Sequence, residues 1–223
     1  MNYERDHGHA CRRSIVGVLL LCLLLCMLSS CKQEQDTEES AALTAMDYSA
    51  IEDFGVYVSV PQYTDLDIPL GESDVKSERV WEEILARSEV LRYPEEQVLY
   101  YEAQTKATYR YYGKQNGWSL EETMDKLGVS EESIRLKAKD MVKGDLVYRY
   151  IVADAKIALS REEKATLFDR YANQYAESYG YEVDYVAEHL SHLVYDSMLY
   201  DKTMEYLILH NRFILSVEET GNG

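Results

Sequence analysis

The chain has 223 residues, 46% of them hydrophobic, and a formal net charge of −17. This length and hydrophobic fraction suit one domain of ordinary size with its own core. The acidic composition argues against nucleic acid as a partner, because phosphate binding needs a basic surface. No cysteine follows Cys31, so the sequence beyond it offers neither disulfide nor thiolate chemistry.

The first 31 residues have the order of an export signal. Arg12 and Arg13 precede an apolar run at 15–28, and Ser29 and Ser30 lead to Cys31. A bilayer span needs about 20 apolar residues, so this shorter run disfavours a permanent transmembrane helix.

The end of this segment, Leu28 to Cys31, resembles the lipobox of bacterial lipoproteins. The resemblance implies a signal peptide over 1–30, cleavage before Cys31, and attachment of lipid, palmitate included, to the Cys31 thiol. Two acyl chains give stable anchoring, whereas one binds only marginally. We therefore expect a lipoprotein held at the cell membrane on its extracytoplasmic side.

The next two segments differ in composition. Residues 31–53 are acidic and polar, which predicts a disordered tether. Residues 54–72 predict an extended or β connector, since a β-branched run is followed by Leu66 and Ile68 alternating with aspartates. We expect at most a two-stranded feature there.

Residues 73–217 predict a helical domain, so the fold class is mostly α. Ser73 or Asp74 is suited to cap the first helix, and Gly117 to end the second. Ser-x-x-Glu capping boxes at 119–122 and 160–163 open two more. The helices whose two ends the sequence predicts cover about 73–90, 94–116, 130–157 and 182–213.

The last predicted helix has the clearest periodicity. From Val183 to Leu207, mostly apolar positions step alternately by three and four residues. This spacing is typical of a long seam packed against other helices. Because the predicted helices are long for the chain, we expect an elongated multi-helix body with exposed crevices.

Catalytic and metal-binding motifs are weak. His189 and His192 lie three residues apart, which is not the zincin spacing, and they are better explained as boundary residues of the helix. A Ser-His-Asp arrangement stays open, but there is no Gly-x-Ser-x-Gly elbow. We therefore expect a protein that is not an enzyme and needs no cofactor or metal.

Tyrosine is over-represented, with 20 against three phenylalanines and two tryptophans. The rings could be half-exposed edges of the core whose hydroxyls reach water. Alternatively, they could form a surface that contacts unfolded polypeptide, since Tyr and Met adapt to varied partners. The second interpretation selects these client-binding candidates: Tyr101, Tyr109, Tyr112, Tyr148, Tyr171, Met198 and Tyr200.

Four segments resemble the trigger factor family of chaperones, chiefly its C-terminal helical domain. They are 58–66, 141–153, 159–163 and 194–207. Two family features are missing, namely the Gly-Phe-Arg signature of ribosome binding and the space for an FKBP-type isomerase domain. The resemblance therefore implies a helical cradle for unfolded segments, with neither ribosome binding nor isomerase activity.

Together these features predict a membrane-anchored holdase-like chaperone or secretion-assisting factor. Its partners would be unfolded or newly exported polypeptides, and it would meet the membrane through lipidated Cys31. The alternative is an interaction or assembly subunit of an envelope complex that binds one folded partner with the same helical surface.

Overall fold

The structure is a computed structural model and describes residues 47–215. Within this range the protein is mostly helical, which confirms the predicted fold class. The helices are α1 (Lys76–Arg87), α2 (Glu95–Asn116), α3 (Leu120–Leu127), α4 (Glu131–Asp154), α5 (Arg161–Tyr179), α6 (Val183–His189) and α7 (Ser191–Leu209). The strands are β1 (Val58–Ser59), β2 (Asp67–Leu70), β3 (Glu89–Val90) and β4 (Arg212–Leu215). The predicted signal peptide, Cys31 and most of the predicted tether lie outside the described residues.

The described residues divide into two compact units that interleave along the chain. Unit 1 contains 47–59 and 89–146, and unit 2 contains 60–88 and 147–215. Helix α4 contributes its first part to unit 1 and its last part to unit 2. The helical domain predicted from 73 to 217 thus contributes to both units.

Unit 1 combines a two-stranded antiparallel sheet with helices α2, α3 and the first part of α4. Strand β1 pairs with β3, with Val58 opposite Val90. Ion pairs join α2 to α4, from Glu102 to Arg135 at 2.7 Å and from Lys106 to Glu131 at 2.6 Å. The buried aliphatic side chains of this core are Val58, Val98, Ile134, Ala138, Val142 and Leu146.

The described part of unit 1 begins within the segment that the sequence predicts as tether. Residues Tyr48–Ala50 form a short 3₁₀ turn, and the Tyr48 side chain is buried. The hydroxyls of Tyr48 and Tyr101 both donate to Asp145 Oδ2, at 3.2 and 2.5 Å. Because Asp145 lies on α4, these bonds hold the start of the described chain against the helices of unit 1.

Unit 2 is built around a two-stranded parallel sheet. Strand β2 pairs with β4 in a register that runs from Asp67 opposite Arg212 to Leu70 opposite Leu215. Helix α1 packs on β2 and on α7, and α5 and α6 also pack on α7. The buried side chains of the sheet and of the helices over it are Ile68, Leu70, Val80, Ile84, Val194, Met204 and Leu207.

Most predicted helix ends agree with the structure where a local signal sets them. Both capping boxes are formed, and Gly117 ends α2 in the left-handed region at φ 72°. Helix α1 begins later than predicted, because Asp74 instead accepts from the Gly71 amide at 2.8 Å. It also ends earlier, at Arg87, because Glu89 and Val90 form strand β3.

The predicted final helix, 182–213, is corrected by the structure. It is interrupted at Leu190, whose φ of −120° and ψ of 15° are not helical. Helix α7 then ends at Leu209, and Arg212–Leu215 form strand β4. The last four described residues form a strand because they pair with β2. The backbone hydrogen bonds between the two strands require an extended chain, which a helix does not provide.

Candidate functional site

An open depression of about 340 Å³ lies in unit 2, between the chain that leaves α4 and the C-terminal half of α7. Helix α4 ends at Asp154, and Lys156, with a φ of 54°, turns the chain into the wall of the depression. The remaining wall comes from α7 and the residue after it. The lining residues are Ala155, Lys156, Ile157, Ala158, Lys202, Glu205, Tyr206, Leu209 and His210.

Lys202 fixes one side of this depression. Its Nζ donates to the Ala158 carbonyl at 2.8 Å and to both Glu163 carboxylate oxygens at 2.7 and 2.8 Å. Hydrogen bonds from Lys202 and from the Ser160 backbone lower the Glu163 pKa to about 2. Through these hydrogen bonds, Lys202 on α7 connects the 155–158 segment to α5.

Further along the α7 wall, the lining residues are aromatic and apolar. The Tyr206 and His210 rings stack with their centroids 4.0 Å apart, and His210 Nδ1 lies 2.7 Å from the Tyr206 carbonyl oxygen. Leu209 stands at the edge with 72% of its surface exposed. These groups offer apolar and aromatic contact area to a bound chain.

Further apolar side chains are exposed just beyond α7. Ile214 is 53% exposed and Leu215 is 69% exposed, both on strand β4. We call Leu209, Ile214 and Leu215 the C-terminal apolar residues. None of them is among the site residues predicted from the sequence: Leu209 lies within the predicted helix 182–213, and Ile214 and Leu215 lie beyond its end.

Asn211 positions strand β4 beside β2. Its Oδ1 accepts from the Leu66 amide at 2.8 Å, and its Nδ2 donates to the carbonyls of Tyr63 at 3.0 Å and Leu207 at 2.7 Å. The side chain thus joins the end of α7 to the chain that leads into β2. Sequence reasoning missed this residue, whose only local signal is a polar amide between a helix and an apolar run.

Three client-binding candidates from the sequence lie in unit 1. Tyr101 is half-buried and donates to Asp145, and Tyr109 is half-buried as well. Tyr112 is 45% exposed, with its ring 6.2 Å from that of Trp118. Of these three, Tyr112 offers the largest accessible fraction.

The other candidates lie in unit 2, where Met198 requires a correction. Met198 is 2% exposed, so it belongs to the core instead of a client-facing surface. Tyr148 and Tyr200 are brought together, with ring centroids 5.7 Å apart, and burial raises the pKa of both hydroxyls. Tyr171 is half-buried and donates to Asp201 at 2.7 Å. These half-buried rings have the character of core edges.

The described residues show neither a metal site nor a helix able to span a membrane. Across residues 47–215, no three His, Cys, Asp or Glu side chains converge as a metal site would require. His189 stacks on Tyr185 with ring centroids 4.7 Å apart, and His192 is exposed. Every helix in the described part of the chain is too short or too polar to cross a membrane.

Comparison with protein-family models, with curated proteins and with solved structures finds no match to this chain. The resemblance to trigger factor therefore rests on the four sequence segments alone.

Proposed function

We propose that the protein is a membrane-tethered, extracytoplasmic holdase-like chaperone or secretion-assisting factor that binds unfolded polypeptide. The observation that supports this best is the exposure of the C-terminal apolar residues, of which Leu209 borders the depression. Single exposed leucines are ordinary on protein surfaces. We infer that Leu209, at the depression, acts with Ile214 and Leu215, which follow on β4, as an apolar binding surface.

The chemistry of this surface suits clients of varied sequence. Apolar contact is non-directional and depends mainly on the area removed from water, so it does not select one partner sequence. Polar groups around the depression, Lys202 and Glu205, would keep the surface hydrated when it is empty. Binding of this kind requires neither nucleotide nor metal.

Charge and anchoring complete the proposal. The net charge of −17 makes copies of the protein repel one another, which limits self-association through the exposed apolar residues. A lipid on Cys31 and an acidic tether would hold the body near the membrane. Tethering raises the local concentration of the binding surface for chains that emerge there.

The test is suppression of aggregation by the purified full-length chain. We expect an equimolar amount to keep citrate synthase, diluted from guanidinium chloride, out of the pellet after centrifugation. The double variant Leu209→Ser with Ile214→Ser should lose most of this effect. A matched control, Leu127→Ser with Leu136→Ser, replaces similarly exposed leucines of unit 1 and should retain it.

Failure of the wild-type chain to reduce the pellet would contradict the proposal. Affinity purification after cross-linking in cells separates it from the alternative. A chaperone should bring down many substoichiometric chains, whereas a subunit of an envelope complex should bring down one folded partner in stoichiometric amount.

A further inference from the structure

Strand β4 has one edge that faces away from its partner. In a parallel pair, alternate residues of a strand direct both their N–H and C=O groups toward the neighbouring strand. The Arg212 amide donates to the Leu66 carbonyl at 2.9 Å, so Arg212 and Ile214 face β2. The backbone groups of Phe213 and Leu215 therefore face outward.

The outer edge of β2 is closed by two features. The same alternation directs Asp67 and Pro69 outward, and Pro69 has no N–H to donate. The Pro69 carbonyl accepts from Arg79 Nε on α1 at 3.5 Å. Proline and covering groups are devices by which sheet edges avoid pairing with other chains.

Within the described residues, no proline or side-chain hydrogen bond closes the backbone edge of β4, although Lys76 Nζ lies 5.2 Å from the Phe213 ring centroid, over the face of that ring. The sheet described between 47 and 215 contains only β2 and β4. The one charged residue of β4, Arg212, is drawn to β2 by an ion pair with Asp67 at 2.6 Å. The two residues that end it, Ile214 and Leu215, are more than half exposed.

These features specify the chemistry of an occupant. Outward N–H and C=O groups at alternate residues can form hydrogen bonds with the backbone of an extended peptide. These bonds do not depend on the sequence of the peptide. Exposed Ile214 and Leu215 select apolar side chains on that backbone. A second copy of this chain is disfavoured because each copy carries a net charge of −17, whereas a neutral or basic segment is attracted.

We propose that the outer edge of β4 (Arg212–Leu215) binds an extended, apolar, neutral or basic segment of unfolded polypeptide as a third strand. This inference rests on the proposed holdase function and names how the client is held. The strand is short and offers two outward residues, so each client segment is bound weakly and released readily.

The direct test is amide hydrogen exchange of the full-length chain with a defined probe. The probe is the synthetic peptide Lys-Thr-Val-Thr-Ile-Thr-Val-Thr-Lys. At saturation we expect the Phe213 and Leu215 amides to exchange at least about tenfold more slowly, since new hydrogen bonds protect them. The Arg212 and Ile214 amides, already bonded to β2, should change little. A twin peptide N-methylated at every central residue should not bind.

Two variants separate backbone pairing from side-chain contact. Leu215→Pro removes one outward N–H and the leucine side chain, whereas Leu215→Ala removes the side chain alone. We expect the proline variant to bind the peptide about tenfold more weakly than the alanine variant, which corresponds to about one hydrogen bond. Equal affinities would contradict strand addition.

The remaining outcomes separate this inference from the proposed function. If the chain suppresses aggregation but the peptide leaves the Phe213 and Leu215 amides unprotected, strand addition is wrong and the holdase proposal stands. If the chain does neither, both fail. Protection of these amides without peptide also overturns the inference. If that protection rises with protein concentration, the occupant is a second copy, and if it does not, the occupant is another part of the same chain.

Discussion

Gly113 and Gly144 both lie inside helices, but only Gly113 has neighbours at the position where a side chain would begin. A Cβ on Gly113 would overlap Thr123 Oγ1 and lie 2.9 Å from the Trp118 carbonyl oxygen. Thr123 Oγ1 is itself held by a 2.7 Å bond to the Ser119 carbonyl. Helices α2 and α3 therefore approach each other only because residue 113 has no side chain.

We predict opposite effects of alanine at these two glycines. Gly113→Ala should lower the free energy of unfolding by about 1–3 kcal/mol, the usual cost of overpacking. Gly144→Ala meets nothing within 4 Å and should raise it by about 0.5–1 kcal/mol through helix propensity. Urea unfolding of both variants checks this. A stabilised Gly113→Ala variant would show that the α2–α3 contact is looser than described.

Single residues also show which parts of the structure could be read from the sequence. The two capping boxes and the glycine end of α2 were predicted because all of their partners lie within a few residues. Asn211 could not be found in this way, since its partner Leu66 is 145 residues away in sequence. Met198 was wrongly predicted to face a client. Helical periodicity shows that a residue lies close to the apolar seam, but it does not show whether the side chain is buried or exposed there.

At the scale of elements, the start of α5 is joined to α7 by one carboxylate. Glu163 completes the capping box with Ser160 and also accepts from Lys202 on α7. These donors stabilise the charged form, so the folded-state pKa of about 2 lies below the unfolded value of about 4.3. A lowered folded pKa means that the contribution is complete above the unfolded pKa and is lost as pH falls toward 2.

We predict that Glu163→Gln destabilises the protein in a pH-dependent way. The urea midpoint of the variant should fall below that of the wild type at pH 7, and the difference should shrink between about pH 4 and pH 2 as the wild-type carboxylate is protonated. Glu162→Gln, which neutralises the neighbouring exposed carboxylate, is the control and should show a smaller difference at pH 7. A pH-independent effect of Glu163→Gln would contradict this role of the charge.

Element boundaries agree with the prediction at the two capping boxes and at Gly117, and they differ at both ends of α1, at Leu190 and near the C-terminus. The apolar run Phe213–Leu215 suits a helix or a strand equally well, and periodicity alone does not separate the two for so short a segment. Strand β2 decides between them, and it lies far away in sequence. Ile214 and Leu215 lie just beyond the predicted helix, and their place on a strand depends on pairing with β2, which no local pattern in the sequence indicates.

At the scale of the whole molecule, the proposed anchor and the folded body are separate in sequence. Cys31 precedes the first described residue, and most of the predicted tether lies between them. Removing a lipid from Cys31 should therefore change where the protein is found without changing how its body folds.

We predict that Cys31→Ser moves the protein from the membrane fraction to the soluble fraction of cells, with an unchanged urea midpoint. Cys26→Ser, within the apolar run, is the control and should stay with membranes. Fractionation and labelling with a palmitate analogue provide the measurements. Membrane retention of the Cys31→Ser variant would contradict lipid anchoring, and a lower urea midpoint would contradict the separation of anchor from body.

The pairing of β2 with β4 also sets the order in which the chain can fold. Unit 2 needs residues from both 60–88 and 147–215, whereas the described residues of unit 1 end at 146. Because synthesis runs from the N-terminus, the described residues of unit 1 can fold before strand β4, the partner of β2, has been synthesised. Contacts so distant in sequence form late and slowly. Until residues Arg212–Leu215 have been synthesised, Ile68 and Leu70 have no neighbouring strand. During that time the protein is itself a nascent chain that exposes apolar residues.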